Sequence, residues 1–315
     1  MLDDEISHDK YLASYMIDAW RRKGGPNIIP ASIHRDSFCG SPEVTFAQDG
    51  QELKFFFGRT PFNSPESERL ISDKWDMFRT LQDEIPLPHT EYVSKTDPRS
   101  DVGIRDSVVR LINAPEHPFS FPLVVKPSEG SLSCNVHIVK NPCELERAIF
   151  LNRTDMSNGP GILFQEFLGD GRQLFPEIRG VCLDGEVMIA YDRVTQHDIP
   201  DDLLTNPSHW PGVLRREVTD PKILDQIQCI AEHLYDAYGL SYVAFDMKCD
   251  KEGRLWVLEG NVAPLGLDEV ERQLKNGPAL VTRLADKMFD KVLAHKPELQ
   301  LQMAASMPAG GPQMS

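Results

Sequence analysis

Asp246, Glu259 and Asn261 stand in two short apolar runs, YVAFDMK and LWVLEGN, with Lys251, Glu252 and Gly253 between them. Such alternating runs read as two strands, and the polar break between them as a hairpin connection. Alternate side chains of a strand share a face, so Glu259 and Asn261 point the same way, and a paired strand can set Asp246 opposite them. Three hard oxygen donors in one cluster suit Mg²⁺ carrying the phosphates of a nucleotide. The same acids also suit the wet face of an ordinary hairpin, so their neighbours have to decide.

Three further constellations bear on that choice. Lys126 ends an apolar run and is followed by Pro127, Ser128, Glu129, Gly130, Ser131, Leu132 and Ser133. A small-residue loop rich in N–H donors beside a point charge can close over a triphosphate. It is not a Walker A loop, because the GxxxxGK[ST] spacing is absent. The run ILFQEFL stops at Gln165, Glu166, Phe167 and Leu168 before Gly169, a strand end whose backbone can read the edge of adenine, and Asp170 can reach a ribose hydroxyl. Arg179 and Arg193 stand near opposite ends of EIRGVCLDGEVMIAYDR, where two guanidinium groups facing one cavity can hold a carboxylate or phosphate bidentately.

The totals limit the classes of function. A chain of 315 residues accommodates two or three small subdomains or one large α/β unit. With 41% hydrophobic and 26% charged residues it has a globular composition, and its net charge of −15 argues against nucleic acid or an anionic membrane as the main partner. No apolar run reaches the roughly 20 residues needed to span a bilayer. The opening MLDDEISHDKY has no signal-peptide pattern, so the expected location is cytoplasmic. Six cysteines are scattered without a CxxC pair, which fits reduced thiols rather than a disulfide frame or zinc site.

The elements that must position these residues follow from periodicity and punctuation. A helix is expected over 8–23, stopped by Gly24, Gly25 and Pro26, and then strand-like pieces NIIPASI, EVTFAQD and GQELKFFF. SPESERLISDKWDMFRTLQDE reads as one helix, Pro86 and Pro88 impose an extended chain after it, and SKTDPRSDVGIRDSVVRLINAPEHP reads as loop. The strands FPLVVKP and VHIVK come next, then a helix opened by Asn141 and Pro142, and the strand ILFQEFL. A hairpin turning at Asp184 and Gly185, a polar loop from His197 to Trp210, a helix from Asp220 through Ala237 and a last helix from Pro278 to His295 complete the pattern. The tail AASMPAGGPQMS has the composition of a disordered end.

In their order, Lys74 in SDK, VVKPSEGSLS, FQEFL, the hairpin IRGVCLDGEVMIAYDR, AFDMK and VLEGNVAPLG resemble the ATP-grasp superfamily over roughly residues 60–270. The nearest type is the ribosomal-protein glutamate ligases, with their amino-acid and peptide ligase relatives. The resemblance implies an α+β fold in which two α+β subdomains clasp ATP. It divides the chain into an abbreviated N-terminal α/β domain (1–68), a small subdomain with the phosphate loop (69–163), a large subdomain with the metal site (164–300) and a tail (301–315). It implies that Lys74 and Lys126 contact ATP phosphates, that Ser128, Glu129, Gly130, Ser131 and Ser133 fold over them, and that Gln165 to Leu168 hold adenine. Asp246, Glu259 and Asn261 would bind one or two Mg²⁺, and Arg179 or Arg193 would steady an acyl phosphate.

The activity so implied is ATP-dependent carboxylate–amine ligation of an amino acid, small peptide or precursor peptide, with a homodimer allowed. A kinase acting on a polyol or inositol phosphate, and an ATP-binding module without chemistry, are the alternatives. The sequence departs from the glutamate-ligase type after Arg193, where Thr195, Gln196 and His197 and an insert through Trp210 replace a short basic glycine-rich segment, and at Leu265 after Pro264. His197 or Glu217 is the candidate to assist the amine.

Overall fold

The computed structural model describes residues 15, 18, 19, 21, 22, 29–35, 42–48, 51–56, 62–115, 120–130, 135–155, 159–170, 173, 174, 176–195, 213–262 and 267–295. Two antiparallel sheets carry the site. The first is four-stranded in the order β4–β7–β5–β6, from Thr90–Ser94 (β4), Leu123–Pro127 (β5), His137–Val139 (β6) and Gly161–Glu166 (β7). The second is five-stranded in the order β12–β11–β10–β13–β14, from Glu177–Leu183 (β10), Glu186–Thr195 (β11), Val213–Glu217 (β12), Tyr242–Cys249 (β13) and Leu255–Asn261 (β14). Ahead of them Ile29–Arg35 (β1), Pro42–Gln48 (β2) and Gln51–Phe56 (β3) form a three-stranded sheet, and Gly169–Asp170 (β8) pairs with Gln173–Leu174 (β9).

The helix expected over SPESERLISDKWDMFRTLQDE is two helices, Pro65–Ser72 (α1) and Lys74–Leu81 (α2). Asp73 divides them: its extended backbone ends α1, and its carboxylate accepts from the N–H of Trp75 and Asp76 to cap α2. The break puts Lys74 at the first position of α2, where its own N–H is outside the helix ladder and donates to the Ser128 carbonyl at 2.9 Å. The expected loop 94–118 contains a helix, Asp101–Ile112 (α3), capped by Ser100 and burying Ile104, Val108 and Ile112. That i, i+4, i+8 spacing was the signal, masked by Gly103 and the charged residues around it.

The helix Pro142–Thr154 (α4) packs with α3 on the outer face of the four-stranded sheet, around Leu123, Val125, Ile162 and Phe164. The helix Pro221–Tyr238 (α5) covers one face of the five-stranded sheet, burying Ile227, Ile230 and Leu234 against Cys182, Val243, Phe245 and Met247. Met77, Phe78 and Leu81 of α2 and Leu163 of β7 join this same core, so α2 ties the two sheets together. The opposite face is apolar at one end, where Val181, Leu183, Ile189 and Ala244 pack on Leu267–Gln273 (α6) and Gly277–His295 (α7), and charged at the other.

The β10–β11 turn has Asp184 and Gly185 both at positive φ (51° and 75°), the backbone a two-residue hairpin loop needs. The β13–β14 connection is wider than the expected turn at 251–253. It runs from Asp250 to Arg254, with the Asp250 carboxylate accepting from the N–H of Glu252 and Arg254. Two of the expected boundaries fall inside elements: 68/69 within α1, and 163/164 within β7, which pairs wholly inside the four-stranded sheet. Of the expected first helix, residues 15, 18, 19, 21 and 22 are helical; the loop His197–Trp210 and the tail lie outside the described residues. Among the described residues no helix is long and apolar enough to cross a membrane.

Candidate active site

The charged end of the five-stranded sheet is built in rows. Because alternate residues share a face, pairing aligns Glu217, Tyr191, Arg179, Asp246 and Glu259 across β12, β11, β10, β13 and β14. Two residues along the strands a second row follows, Arg215, Arg193, Glu177 and Lys248. Arg179 and Arg193 are thus not cross-strand partners but lie diagonally on one face.

Asp246 is the hub. Both its oxygens are held by Arg179, Nε to Oδ1 at 2.6 Å and Nη2 to Oδ2 at 2.5 Å, and Asn261 Nδ2 donates to Oδ2 at 3.1 Å. Arg193 lies 3.8 Å from Oδ1 and makes its short contact with Glu177. Burial by itself raises the Asp246 pKa, but the two arginines outweigh it and hold the carboxyl below its ordinary range. Burial likewise opposes the Arg179 charge, and Asp246 more than compensates, so its pKa is raised.

Lys126 of the four-stranded sheet and Lys74 of α2 approach the same acids. A bulge in β14, where Asp246 pairs with Glu259 but Met247 pairs with Val257, leaves Leu258 outside the register. Its carbonyl turns toward the four-stranded sheet and lies 3.4 Å from Lys126 Nζ, which also donates to Gln165 Oε1 at 2.9 Å and sits over the Phe78 ring. Burial, with Lys74 beside it, pushes the Lys126 ammonium down to about 7. Lys74 Nζ donates to the Gly130 carbonyl at 2.9 Å and meets Glu259 at 3.3 Å. Lys74, Lys126, Arg179, Arg193, Arg215 and Lys248 therefore lie among the carboxylates Glu177, Asp246, Glu217, Glu259 and Glu269. Several cations gathered with little exposure to water suit an anionic ligand.

Residues 72–280 match the RimK-like ATP-grasp domain. The chain belongs to the RimK-like ATP-grasp family. A D-alanine–D-alanine ligase of Gloeobacter violaceus is 28% identical over 148 residues, which is 45% of this chain and 45% of that protein, so the match spans less than half the length of the curated relative. A crystal structure of a D-alanine–D-alanine ligase from Bacillus anthracis superposes with a TM-score of 0.50 at 17% identity, covering 73% of this chain and 72% of that one. The ATP-grasp ligase PsnB complexed with a minimal precursor gives 0.46 at 18%, covering 72% and 63%. The fold is α+β of the ATP-grasp kind, as expected from the motifs.

On this ATP-grasp frame the remaining expected residues separate. Ser128 is fully buried, exchanging bonds with Gly161 through its backbone N–H and its Oγ, so it anchors the loop rather than covering a ligand. Glu129 and Gly130 are exposed, Gly130 at φ 117°, while Ser131 and Ser133 lie outside the described residues. Gln165 is buried and positions Lys126, its Nε2 donating to Thr90 Oγ1 at 2.9 Å. The Glu166 N–H is spent on the His89 carbonyl, and Phe167 and Leu168 lie beyond the last ladder pair, Leu123 with Glu166. Asp170 lies in β8. His197 lies outside the described residues, and Glu217 takes a 3.4 Å bond from Asn276.

The donor set fits Mg²⁺: Asp246, Glu259 and Asn261 are neighbouring hard oxygens. No group of three or more His, Cys, Asp or Glu that could hold a metal occurs among the described residues. A magnesium ion held here would complete its shell with phosphate oxygens and water, its usual habit. Sequence reading missed Glu177, Lys248 and Arg215. The i, i+2 pairs Glu177/Arg179 and Asp246/Lys248 were the available signal.

Proposed function

We propose that this protein is an ATP-dependent carboxylate–amine ligase, transferring the γ-phosphoryl group of ATP to a substrate carboxylate and joining the acyl phosphate to an amine, with ADP and phosphate released. The observation that carries the reading is the convergence of Lys74 of α2 and Lys126 of β5 on the Asp246, Glu259 and Asn261 cluster of the five-stranded sheet.

Phosphoryl transfer asks for neutralisation of oxygen charge and alignment more than covalent help. Lys126, held between Gln165 and the Leu258 carbonyl, and Lys74, at the start of α2, are positioned to meet phosphate oxygens. Asp246, Glu259 and Asn261 would hold one or two Mg²⁺, which would neutralise the charge that develops on the phosphate oxygens. Arg179 or Arg193 would meet the acyl phosphate, and the backbone at Glu166 to Leu168 the adenine. Water would destroy the intermediate, and the loop after Ser128 is assigned the task of excluding it. The amine and acid are an amino acid, a small peptide or a precursor peptide in this reading.

The test is ADP release by purified protein with ATP and Mg²⁺ against a panel of carboxylic acids and amines, with mass measurement of the products. Amine-dependent phosphate release with an amide product is expected. A stable phosphorylated product formed without amine would overturn the ligase in favour of a kinase.

A further inference from the structure

The bonds that hold Lys126 continue beyond Gln165. Thr90 and Gln165 are cross-strand neighbours on β4 and β7, and Lys126 lies diagonally from Gln165 on β5, so the three side chains share one face of the four-stranded sheet. Lys126 Nζ donates to Gln165 Oε1, Gln165 Nε2 donates to Thr90 Oγ1, and Thr90 Oγ1 donates to the Pro88 carbonyl, each at 2.9 Å. The far end sets the direction of this chain. A carbonyl only accepts, so the single hydroxyl proton of Thr90 is spent on Pro88 and its oxygen has to accept from Gln165. Gln165 therefore turns Nε2 to Thr90 and Oε1 to Lys126, whose ammonium can only donate. A glutamine tied at one end alone keeps a broad, roughly two-fold torsion at its amide. The Thr90 bond removes that freedom from a side chain that is 2% exposed.

The same chain closes on the other sheet. The segment joining α2 to β4 receives the Val257 N–H on the Pro86 carbonyl at 2.8 Å and the Glu166 N–H on the His89 carbonyl at 2.9 Å. Val257 precedes Leu258, whose carbonyl lies 3.4 Å from Lys126 Nζ. The bonds thus form a ring that leaves β14 at Val257, passes along residues 86–90, Gln165 and Lys126, and returns to β14 at Leu258. Two of the three N–H directions of the Lys126 ammonium are taken by this ring, which fixes the direction of the third.

We propose that Thr90 is a positioning residue for nucleotide binding: its hydroxyl sets the Gln165 amide, and the amide aims Lys126 at a phosphate oxygen. This rests on the ligase reading, in which Lys126 meets the phosphates, and adds to it a residue that acts only through Gln165 and Lys126. A hydroxyl that did no more than satisfy a buried amide would support stability and leave nucleotide affinity alone.

ADP binding in the presence of Mg²⁺ is measured by calorimetry for the full-length protein and three variants of it. Thr90→Val keeps the shape and loses the hydroxyl, Thr90→Ser keeps the hydroxyl, and the third variant places Thr90→Val in a Lys126→Met background. Thr90→Val is expected to weaken ADP binding about tenfold, the effect of misdirecting one charge-assisted bond. Thr90→Ser is expected to retain most of the affinity, and Thr90→Val to cause no further loss once Lys126 is replaced. Unchanged affinity in Thr90→Val overturns the proposal, as does an equal loss in Thr90→Ser or in the Lys126→Met background. Should Thr90→Val not fold, Thr90→Ala is read by the same criteria. Failure of ADP to bind the unmodified protein sinks the ligase reading, and the positioning role with it.

Discussion

Arg179 and Asp246, 67 residues apart in the chain, form a bidentate ion pair on adjacent strands, Nε to Oδ1 at 2.6 Å and Nη2 to Oδ2 at 2.5 Å. Both side chains are almost wholly buried, so each depends on the other's charge. Removing one partner of such a pair costs about 3–5 kcal/mol, because the other charge remains buried and unmatched. Asp246→Asn is expected to lose stability on that scale in denaturant unfolding and to lose Mg²⁺-dependent ATP turnover. An unfolding midpoint equal to that of the unmodified protein would contradict the pairing.

Glu259 separates the proposed metal role from a structural one. It is cross-strand to Asp246 but about one-third exposed, and its ion pair with Lys74 is long. Glu259→Gln is expected to change stability by less than about 1 kcal/mol while depressing ATP turnover by at least about a hundredfold, the effect of losing a ligand that helps neutralise phosphate charge. Turnover at the unmodified rate would remove Glu259 from the site.

Lys126 links the site to pH. Its folded pKa of about 7 lies below the 10.5 of a free lysine, chiefly through burial, so between those values the unfolded chain binds more protons than the folded one. The Lys126 contribution to stability is therefore present above about 10.5 and is lost as pH falls toward 7. Lys126→Met is expected to flatten that part of the stability profile without lowering stability at pH 7, and to weaken ADP binding about 10- to 100-fold. Nucleotide binding near pH 8 should take up protons, which calorimetry in buffers of different ionisation heat detects.

His137 supplies a second pH dependence, on the strand paired with the one that carries Lys126. It lies on β6, its Nε2 buried without a partner, and burial with Arg147 nearby lowers its pKa below 6.5. The folded state therefore prefers neutral imidazole. Its contribution is complete above pH 6.5 and is lost as pH falls through the lowered value. Unfolding measured at pH 5 and 7.5 should show a loss at the lower pH that His137→Phe reduces.

Gly161 tests the junction beneath the loop. A Cβ at this position would clash with the Tyr92 ring, which itself stacks on Trp75. Gly161→Ala is expected to destabilise by about 2–3 kcal/mol, as overpacking does, and Tyr92→Ala in the same protein should recover part of it. Additive losses in the double variant would refute the contact.

Much of this protein was legible residue by residue. The β10–β11 turn at Asp184 and Gly185, the caps at Ser64 and Asn141, the strand alternation around Asp246 and Glu259, and the order of motifs that marks an ATP-grasp chain are local properties, set by backbone preference and side-chain period. The break at Asp73 and the helix Asp101–Ile112 were legible too, but competing local signals hid them. What only the tertiary structure decided is which charges meet. The β10–β13 register sets Arg179 bidentate on Asp246, the bulge at Leu258 supplies the carbonyl that receives Lys126, and the fold buries Ser128 beneath the loop it was expected to share. Strand period says which side chains share a face; the neighbours across that face depend on register and packing between segments far apart in the chain, which no local pattern encodes.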